Sequence, residues 1–581
     1  MSIPLIRNYQ REFSQLKQYG ALTEQQRRRP FANLLNAYCQ TRNLLLIEEL
    51  TLRAPDGRPI RPDGTVKGLN RMDWGYWEAK DQHDDLETEI KTKFAAGYPD
   101  DNILFEDDAL AVLIQDGKRV FESKMQNGAE DLDRLLTQFV SFERPEYRAF
   151  REALEQFRDA VPDIVKELRR LMDEEAKTNT QFVRARDKFL TVCQESINPD
   201  MTPADVREMI VQHILTEDIF TTIFDDADFH RSNNMARELE GVVNTFFKRD
   251  TKKSFLQSLR GYYEVIRNAA ARVDDTSEKQ NFLKVIYEEF YKVYNPKAAD
   301  RLGIVYTPQE IVRFMIEGTD HLLYKHFGKE LLSPNVHIID PATGTGVFLT
   351  ELLNYFPSSK PEQIRHKYDY ELHANEVSIL PYYIANLNLE FAYQRKLGEY
   401  REFKNLVFAD TLDNMGFGFT GKQTDMFGVS AENTERIKRQ NQQKISVVIG
   451  NPPYNANQQN ENENNKNREY PAIDKRIKAT YVKKSTAQKT KVYDMYSRFY
   501  RWASDRLADE GIIAFVTNRS FIDSRTFDGF RKCIEEEFDH VYIVDTQSDV
   551  RANPKIAGTT HNVFGIQTGV AVMFLVKEKK K

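Results

Sequence analysis

Asn451-Pro452-Pro453-Tyr454 follows the apolar run Val447-Val448-Ile449-Gly450, and a second loop, Asp340-Pro341-Ala342-Thr343-Gly344-Thr345-Gly346, closes the apolar run Val336 to Ile339. Residues of these types suit transfer of a methyl group to an amino group on a base. The lone pair of an exocyclic amine such as adenine N6 is delocalised into the ring, so it must be drawn back onto nitrogen before it can attack a methyl sulfonium. The Asn451 side-chain oxygen and the Pro452 carbonyl can each accept one N6 hydrogen. Pro452 and Pro453 bring no N–H to compete and stiffen the loop, while Tyr454 offers a flat ring on which the base can stack.

A second constellation lies near the amino terminus. Arg61-Pro62-Asp63-Gly64 is followed by Glu78-Ala79-Lys80 at the end of an apolar stretch. Two carboxylates converging from a turn and a strand can hold Mg2+, a cation that prefers oxygen, and strand alternation puts Glu78 and Lys80 on one face, where the ammonium can steady water or phosphate. Glu48, in a segment of helical spacing, is a candidate accessory acid. Gln115 follows Ala111-Val112-Leu113-Ile114 as a candidate polar partner on a later strand. Asp73 competes with Asp63 but is close enough to Glu78 to start the same strand. The pattern is short, and a surface turn with a solvated strand pair would also produce it.

These residues need elements to position them. Up to about residue 150 the pattern is mixed helix and strand, with a helix expected through Phe31 to Leu50 and a turn-rich stretch at Ala54 to Pro59. From there to about residue 295 the spacing is almost wholly helical, as in Ile164, Val165, Leu168 and Leu171 or Phe282, Leu283, Ile286 and Phe290, interrupted at Asn198-Pro199-Asp200 and Thr202-Pro203. Beyond Arg301, short apolar runs alternate with helical patterns: Val336 to Ile339, Tyr370 to Ala374, Leu406 to Ala409, Val447 to Ile449, Ile512 to Val516, Val541 to Val544 and Val570 to Val576. The expectation is an α/β multi-domain chain: a small α/β domain over 1–150, a helical connector over 151–295, and a Rossmann-like, largely parallel seven-stranded sheet over 296–581. Ligands bind beyond the carboxyl ends of such strands, where Asp340, Glu376, Asp410 and Asn451 all fall. Glu376 is placed for both ribose hydroxyls of a nucleoside cofactor and Asp410 for its adenine amino group. The stretch Asn455 to Asn467 lacks an apolar period and reads as a loop.

Composition narrows the classes. At 581 residues with 40% hydrophobic content the chain has room for several domains, and its net charge of -6 excludes a uniformly basic nucleic-acid binder. DNA contact must then come from patches, such as the one between Lys466 and Arg501, where basic residues outnumber acids and tyrosines are interleaved. Cys39, Cys193 and Cys533 are too scattered for a disulfide framework or a structural zinc site, which fits a reducing, cytoplasmic setting. No apolar run is long enough to span a bilayer.

The motif order resembles that of N6-adenine DNA methyltransferases, and over about 300–577 the chain is similar to single-chain restriction-modification enzymes of the Type IIG and Type ISP kind. The resemblance implies S-adenosyl-L-methionine as cofactor. Tyr306-Thr307-Pro308 would close over it, the loop bearing Asp340, Ala342, Gly344 and Gly346 would cradle its methionine part, and Glu376 and Asp410 would take ribose and adenine. It also implies base flipping in double-stranded DNA, the extruded adenine lying between Tyr454 and Phe564, which precedes the last strand. Asp63, Glu78 and Lys80 resemble the PD-(D/E)xK nucleases, implying Mg2+-dependent cleavage with Asp63 and Glu78 as metal ligands. Two departures stand out. The loop has Leu349 where a dinucleotide fingerprint has its third glycine, and Gly421-Lys422 lacks the rest of a Walker A loop. A target-recognition domain, which such enzymes carry after the sheet, is expected to be missing from this chain or supplied separately. Methyl transfer to RNA or to protein glutamine, with a structural amino-terminal domain, and a DNA-binding scaffold with degenerate sites are the alternatives.

Overall fold

The structure, a computed structural model, describes residues 3–578 apart from 20–23, 43, 54–57, 69–72, 81–84, 108, 127, 143–144, 197–200, 224–232, 248–255, 260, 266–293, 295–306, 414–428, 455–469, 487–492 and 550–567. The chain forms two compact units, one of Met1–Phe157 with Leu259–Ile286, the other of Arg158–Ser258 with Tyr287–Lys581. The stretch expected as a connector is thus divided between them.

In the first unit, β1 (Leu45–Glu48), β4 (Gly64–Lys67), β5 (Asp73–Ala79), β6 (Asn102–Glu106), β7 (Leu110–Gln115) and β8 (Lys118–Lys124) form a sheet in the order β1-β4-β5-β6-β7-β8, beside a short pair, β2 (Leu52–Arg53) and β3 (Pro59–Ile60). Only β5 and β6 run parallel in the six-stranded sheet, and the helix Leu86–Ala95 makes the crossover between them. Strand alternation sorts the two faces. Trp77, Leu104 and Leu113 bury against helices Ile3–Gln18, Glu24–Gln40 and Ala129–Ser141, whereas Tyr76, Ile103 and Phe105 bury against Leu86 and Ile90 of the crossover helix. Burying a side chain the size of Leu or Phe stabilises by about 1.5–3 kcal/mol, so this alternation fixes the register and with it the face that carries Glu78. The helix expected through Phe31 to Leu50 ends at Gln40, and Leu45–Glu48 is a strand paired with β4. Glu48 is therefore a strand residue and exposed, opposite Gly64. The physical reason is pairing: a continuous apolar run satisfies either period until a neighbouring strand is available.

The second unit is built on β9 (Ile338–Asp340), β10 (Leu372–Glu376), β11 (Leu406–Phe408), β12 (Ile445–Gly450), β13 (Leu507–Asn518), β14 (His540–Asp545) and β15 (Val570–Lys577), ordered β11-β10-β9-β12-β13-β15-β14. From β11 to β13 neighbours are parallel, and β15 runs antiparallel to both β13 and β14. The strand expected from Tyr370 begins only at Leu372, because Lys367–Glu371 closes the preceding helix as a π-turn. After β9 the chain builds outward through β10 and β11, then returns to lay β12 on the other side of β9. The ends of β9 and β12 therefore flank a topological switch point, where open α/β sheets form their crevice. Helices Pro203–Ile223 and Asn234–Val243 belong to this unit and pack on Ile379–Leu397 and Val429–Asn441. Among the described residues no helix is long and apolar enough to cross a membrane.

Candidate active sites

At the end of β9, Asp340 is fully buried; its Oδ1 accepts the Ala342 N–H at 3.1 Å, and its Oδ2 has no hydrogen-bond partner among the described residues. Burial, helped by the nearby Glu376 charge and opposed by the Ala342 bond, pushes its carboxyl up to about 8. The loop that follows is held from several sides. Gly344 N–H donates to Glu376 Oε2 at 2.8 Å, Thr343 N–H to the Asn375 carbonyl at 3.0 Å, and Thr411 Oγ1–H to the Pro341 carbonyl at 2.6 Å. Gly346 takes φ of 85° and sits against Ala385, whose Cα would lie 3.2 Å from an added Cβ, so glycine is needed for both the turn and the close helix approach. Asn388 Nδ2 donates to the Thr345 carbonyl at 2.9 Å.

Glu376 ends β10 with both oxygens engaged: Oε1 accepts the N–H groups of Val377 and Ser378 at 3.0 and 2.7 Å, and Oε2 that of Gly344. Burial still raises it to about 7. Asp410, beyond β11, accepts the Tyr470 hydroxyl at 2.9 Å and the Leu412 N–H at 3.0 Å. The Glu376 charge raises Asp340 and the Asp410 charge raises Glu376, so Glu376 stands between the other two acids.

Across the switch point, Gly450 packs on Asp340 so closely that a Cβ there would lie 2.7 Å from Oδ1. Asn451 follows, its amide Nδ2 donating to Thr307 Oγ1 at 2.7 Å. With its NH2 group so engaged, the amide is oriented by Thr307 from a segment far away in sequence. Pro452 and Tyr454 are buried, and burial drives the Tyr454 hydroxyl well above its usual range, tempered by its bond to Asn451. The structure thus brings Thr307, Asp340, Ala342, Gly344, Gly346, Glu376, Asp410 and Asn451 to one end of the sheet, whereas Phe564 and Tyr306 lie outside the described residues.

Two arginines of the basic stretch turn inward. Arg498 is buried in a bidentate pair with Asp474, at 2.7 and 3.0 Å, and lies over the Tyr470 ring; Arg501 is buried against Glu537 and Asp505. Three-residue spacing puts both on the face that packs into the protein. Lys475, Lys478 and Lys483 are exposed, and Lys466, Arg468, Lys489 and Lys491 lie outside the described residues.

In the first unit, Asp63 and Glu78 are both buried and near enough for the Asp63 charge to raise Glu78. Asp63 Oδ2 accepts the Ala79 N–H at 2.8 Å and Oδ1 pairs with Arg28 at 2.7 Å. Burial raises Asp63, with Ala79, Arg28, Lys80 and Lys93 pulling the other way. Glu78 is fully buried; its Oε2 pairs with Lys93 Nζ at 2.9 Å and lies 3.7 Å from Lys80 Nζ, while Oε1 has no hydrogen-bond partner among the described residues. Burial alone would lower the Lys93 ammonium, but its bonds to Glu78 and Tyr98 outweigh that and hold it above its usual range. Lys93 and Arg28 were not singled out from sequence. The signal for Lys93 was a lysine one turn beyond Ile90 on the apolar face of its helix. Asp73 starts β5 and pairs with Lys67, and Gln115 donates to Asn102 at 2.9 Å and accepts from Gln138 at 3.1 Å, so both are tied up away from the acid pair.

Two known families match the chain. Residues 153–278 match the coupler domain of Type ISP restriction-modification enzymes, and residues 278–523 match the N-6 DNA methylase family. The chain carries a Type ISP coupler domain followed by an N6 methyltransferase domain. Among solved structures it is similar to the DrdV–DNA complex, with 50% identity and a TM-score of 0.70 over 99% of this chain and 56% of that one. It is also similar to the ATP-dependent Type ISP restriction-modification enzyme LlaBIII bound to DNA, at 31% identity and a TM-score of 0.67, over 78% of this chain and 30% of that chain. A nuclease-deletion mutant of the Type ISP enzyme LlaGI with a DNA substrate mimic matches at 32% identity and a TM-score of 0.65, over 77% of this chain and 36% of that one. The chain therefore spans between about a third and just over half of the length of these relatives. No curated protein matches it.

Proposed function

We propose that the second unit transfers a methyl group from S-adenosyl-L-methionine to adenine N6 in DNA. The observation that carries this is the contact of Gly450 with Asp340, which sets the Asn451 amide beside the acid-lined loop across the switch point. The residues fit the cofactor: Asp340 presents a buried oxygen that lacks a hydrogen-bond partner among the described residues, suited to the cationic amino group of the methionine part, and an added Cβ at Gly344 would meet nothing described within 4 Å. Glu376 would take the ribose hydroxyls and Asp410 the adenine amino group. When bound, the cofactor supplies the electrophilic methyl. Asn451 Oδ1 and the Pro452 carbonyl would take the two N6 hydrogens and restore the lone pair, while Thr307 holds the amide in place. An adenine stacked in a duplex cannot reach this crevice, so flipping is part of the reading, with Tyr454 and Phe564 flanking the base. DNA is the favoured substrate because the relatives that match at 31–50% identity are bound to DNA or to a DNA substrate mimic. The test is transfer of labelled methyl from S-adenosyl-L-methionine to adenine-containing duplexes. Label appearing only in protein glutamine or RNA would overturn it.

The first unit is proposed to cleave DNA with Mg2+. Asp63 and Glu78 supply hard oxygen ligands, one of them buried and without a hydrogen-bond partner among the described residues, and Lys80 and Lys93 stand ready for the phosphate or the attacking water. Arg28 and Lys93 neutralise the two acids in the structure as it stands, so a cation entering between them must compete with both. Cleavage of unmethylated DNA dependent on Mg2+ and lost in Lys80→Ala tests this.

A further inference from the structure

We propose that His326, His540 and Glu578 form a binding site for one divalent transition-metal ion of the zinc class, at the opposite end of the second unit's sheet from the strand ends that carry Asp340 and Asn451. The three residues come from separate elements: the last turn of the helix Gln309–Phe327, the first residue of β14, and the residue after β15. His326 Nδ1 lies 2.9 Å and His540 Nε2 3.2 Å from the same oxygen, Glu578 Oε1, and the three ligand atoms are all within 4.8 Å of one another. Zinc binds imidazole nitrogen at about 2.0–2.1 Å and carboxylate oxygen at about 2.0–2.2 Å in tetrahedral geometry, which sets neighbouring ligand atoms roughly 3.3–3.5 Å apart. The two distances to the carboxylate oxygen are a few tenths of an ångström tighter, so small outward shifts of Glu578 make room for the ion.

The surroundings are built in the way metal-binding imidazoles require. The other ring nitrogen of His326, Nε2, is 3.1 Å from the Tyr542 hydroxyl, a group that both donates and accepts. Without metal, a neutral His326 can donate from Nδ1 to Glu578 and accept from Tyr542 at Nε2. With metal it switches tautomer, directs its Nδ1 lone pair at the ion and donates from Nε2 to the tyrosine oxygen, so no buried nitrogen is left unsatisfied in either state. Glu578 is fixed at its backbone, its N–H donating to Asp539 Oδ2 at 2.7 Å. The His326 side chain is 8% exposed while those of His540 and Glu578 are 40% and 44% exposed, which gives an ion a way in and leaves a fourth position to water. Two imidazoles and one carboxylate favour zinc, cobalt or nickel over Mg2+, which seeks more oxygens. The Lys325 ammonium, which donates to the Tyr542 hydroxyl at 3.2 Å, works against a second cation and weakens the site. A bound ion would tie the end of the helix that begins after Thr307 to the edge of the sheet.

The full chain, stripped with chelator, is titrated with Zn2+ by calorimetry and with Co2+ by visible absorption, alongside His540→Ala and Glu578→Gln. Both substituted positions are substantially exposed, and Glu578→Gln keeps a hydrogen-bond acceptor, so neither should prevent folding. The expected result is one equivalent of Zn2+, the intense visible bands of four-coordinate Co2+, a higher Tm with Zn2+, and at least tenfold weaker binding in each variant with excess Mg2+ failing to compete. Absence of saturable Zn2+ binding, or binding of equal strength in the wild type and both variants, would overturn the proposal. Methyl transfer is measured in parallel, and its presence or absence bears on the proposed function alone.

Discussion

Gly450→Ala probes the contact on which the methyl-transfer reading depends. A methyl group there would lie 2.7 Å from Asp340 Oδ1, 3.4 Å from Cγ and 3.5 Å from Pro341 Cδ. The carboxylate has little freedom to yield, being fully buried with Oδ1 held by the Ala342 N–H. Forcing a methyl into such a site costs about 1–3 kcal/mol. If the carboxylate swings away instead, the buried Ala342 N–H is left unpaired at a similar cost of about 1–3 kcal/mol. Either response displaces the group that is to receive the cofactor's amino end, so S-adenosylhomocysteine should bind about 5- to 150-fold more weakly, since about 1.4 kcal/mol is tenfold. Gly398→Ala, at the end of the helix Ile379–Leu397 and outside the site, is the control: its Cβ meets nothing within 4 Å, and only its φ of 75° opposes the change, at about 1–2 kcal/mol. Calorimetry gives the affinities and urea unfolding separates them from loss of fold. Wild-type affinity in a folded Gly450→Ala protein would refute the reasoning.

Further outcomes follow from the same geometry. Asn451→Ala should lower methyl transfer by about 100-fold or more while cofactor binding changes only a few-fold, because the amide is to receive the N6 hydrogens and its loss frees Thr307 of one hydrogen bond of about 1 kcal/mol; full-rate formation of N6-methyladenine removes it from the mechanism. Asp340 and Glu376 are raised by burial to about 8 and about 7, from ordinary values of 3.8 and 4.5. The native state therefore holds more protons than the unfolded one, and the stability these two groups contribute is greatest below pH ~4 and is lost as pH rises through about 7 and about 8. A cationic ligand favours their ionised forms, so binding at pH 7 should release protons, read from calorimetry in buffers of different ionisation enthalpy; proton uptake would contradict the assignment. Lys93→Met should destabilise the first unit by about 3 kcal/mol in urea unfolding, by leaving Glu78 buried beside one fewer cation, and Glu78→Gln in the same chain should recover part of the loss. Tyr383→Phe removes a hydroxyl placed 3.2 Å from His213 Nδ1 and should cost about 1 kcal/mol, seen as a lower Tm; no change would mean the bond adds nothing.

What could be had from the chain alone was local. An apolar run that ends in a polar residue announces the carboxyl end of a strand, and Asp340, Glu376, Asp410 and Asn451 could be placed there because each follows such a run. Alternation likewise placed Glu78 on one face of its strand, since the period of a strand is a property of the backbone. Where neighbours decide, local pattern was insufficient. The Phe31 to Leu50 stretch satisfies a helical period throughout, yet Leu45–Glu48 pairs with β4, because a strand's hydrogen bonds come from another part of the chain.

The same holds for the sites. Strands β9 and β12 are adjacent although β10 and β11 lie between them in sequence, and that order alone brings Gly450 onto Asp340. Thr307 reaches Asn451 across 144 residues, and Lys93 reaches Glu78 only because the β5–β6 crossover folds its helix back over the sheet. Arg498 and Arg501 look like phosphate binders in a list of charges, but their helix packs that face inward and acids meet them there. Backbone period and side-chain chemistry are written residue by residue, so sequence determines them; which distant groups share a desolvated space depends on how the layers close, and only the tertiary structure decides that.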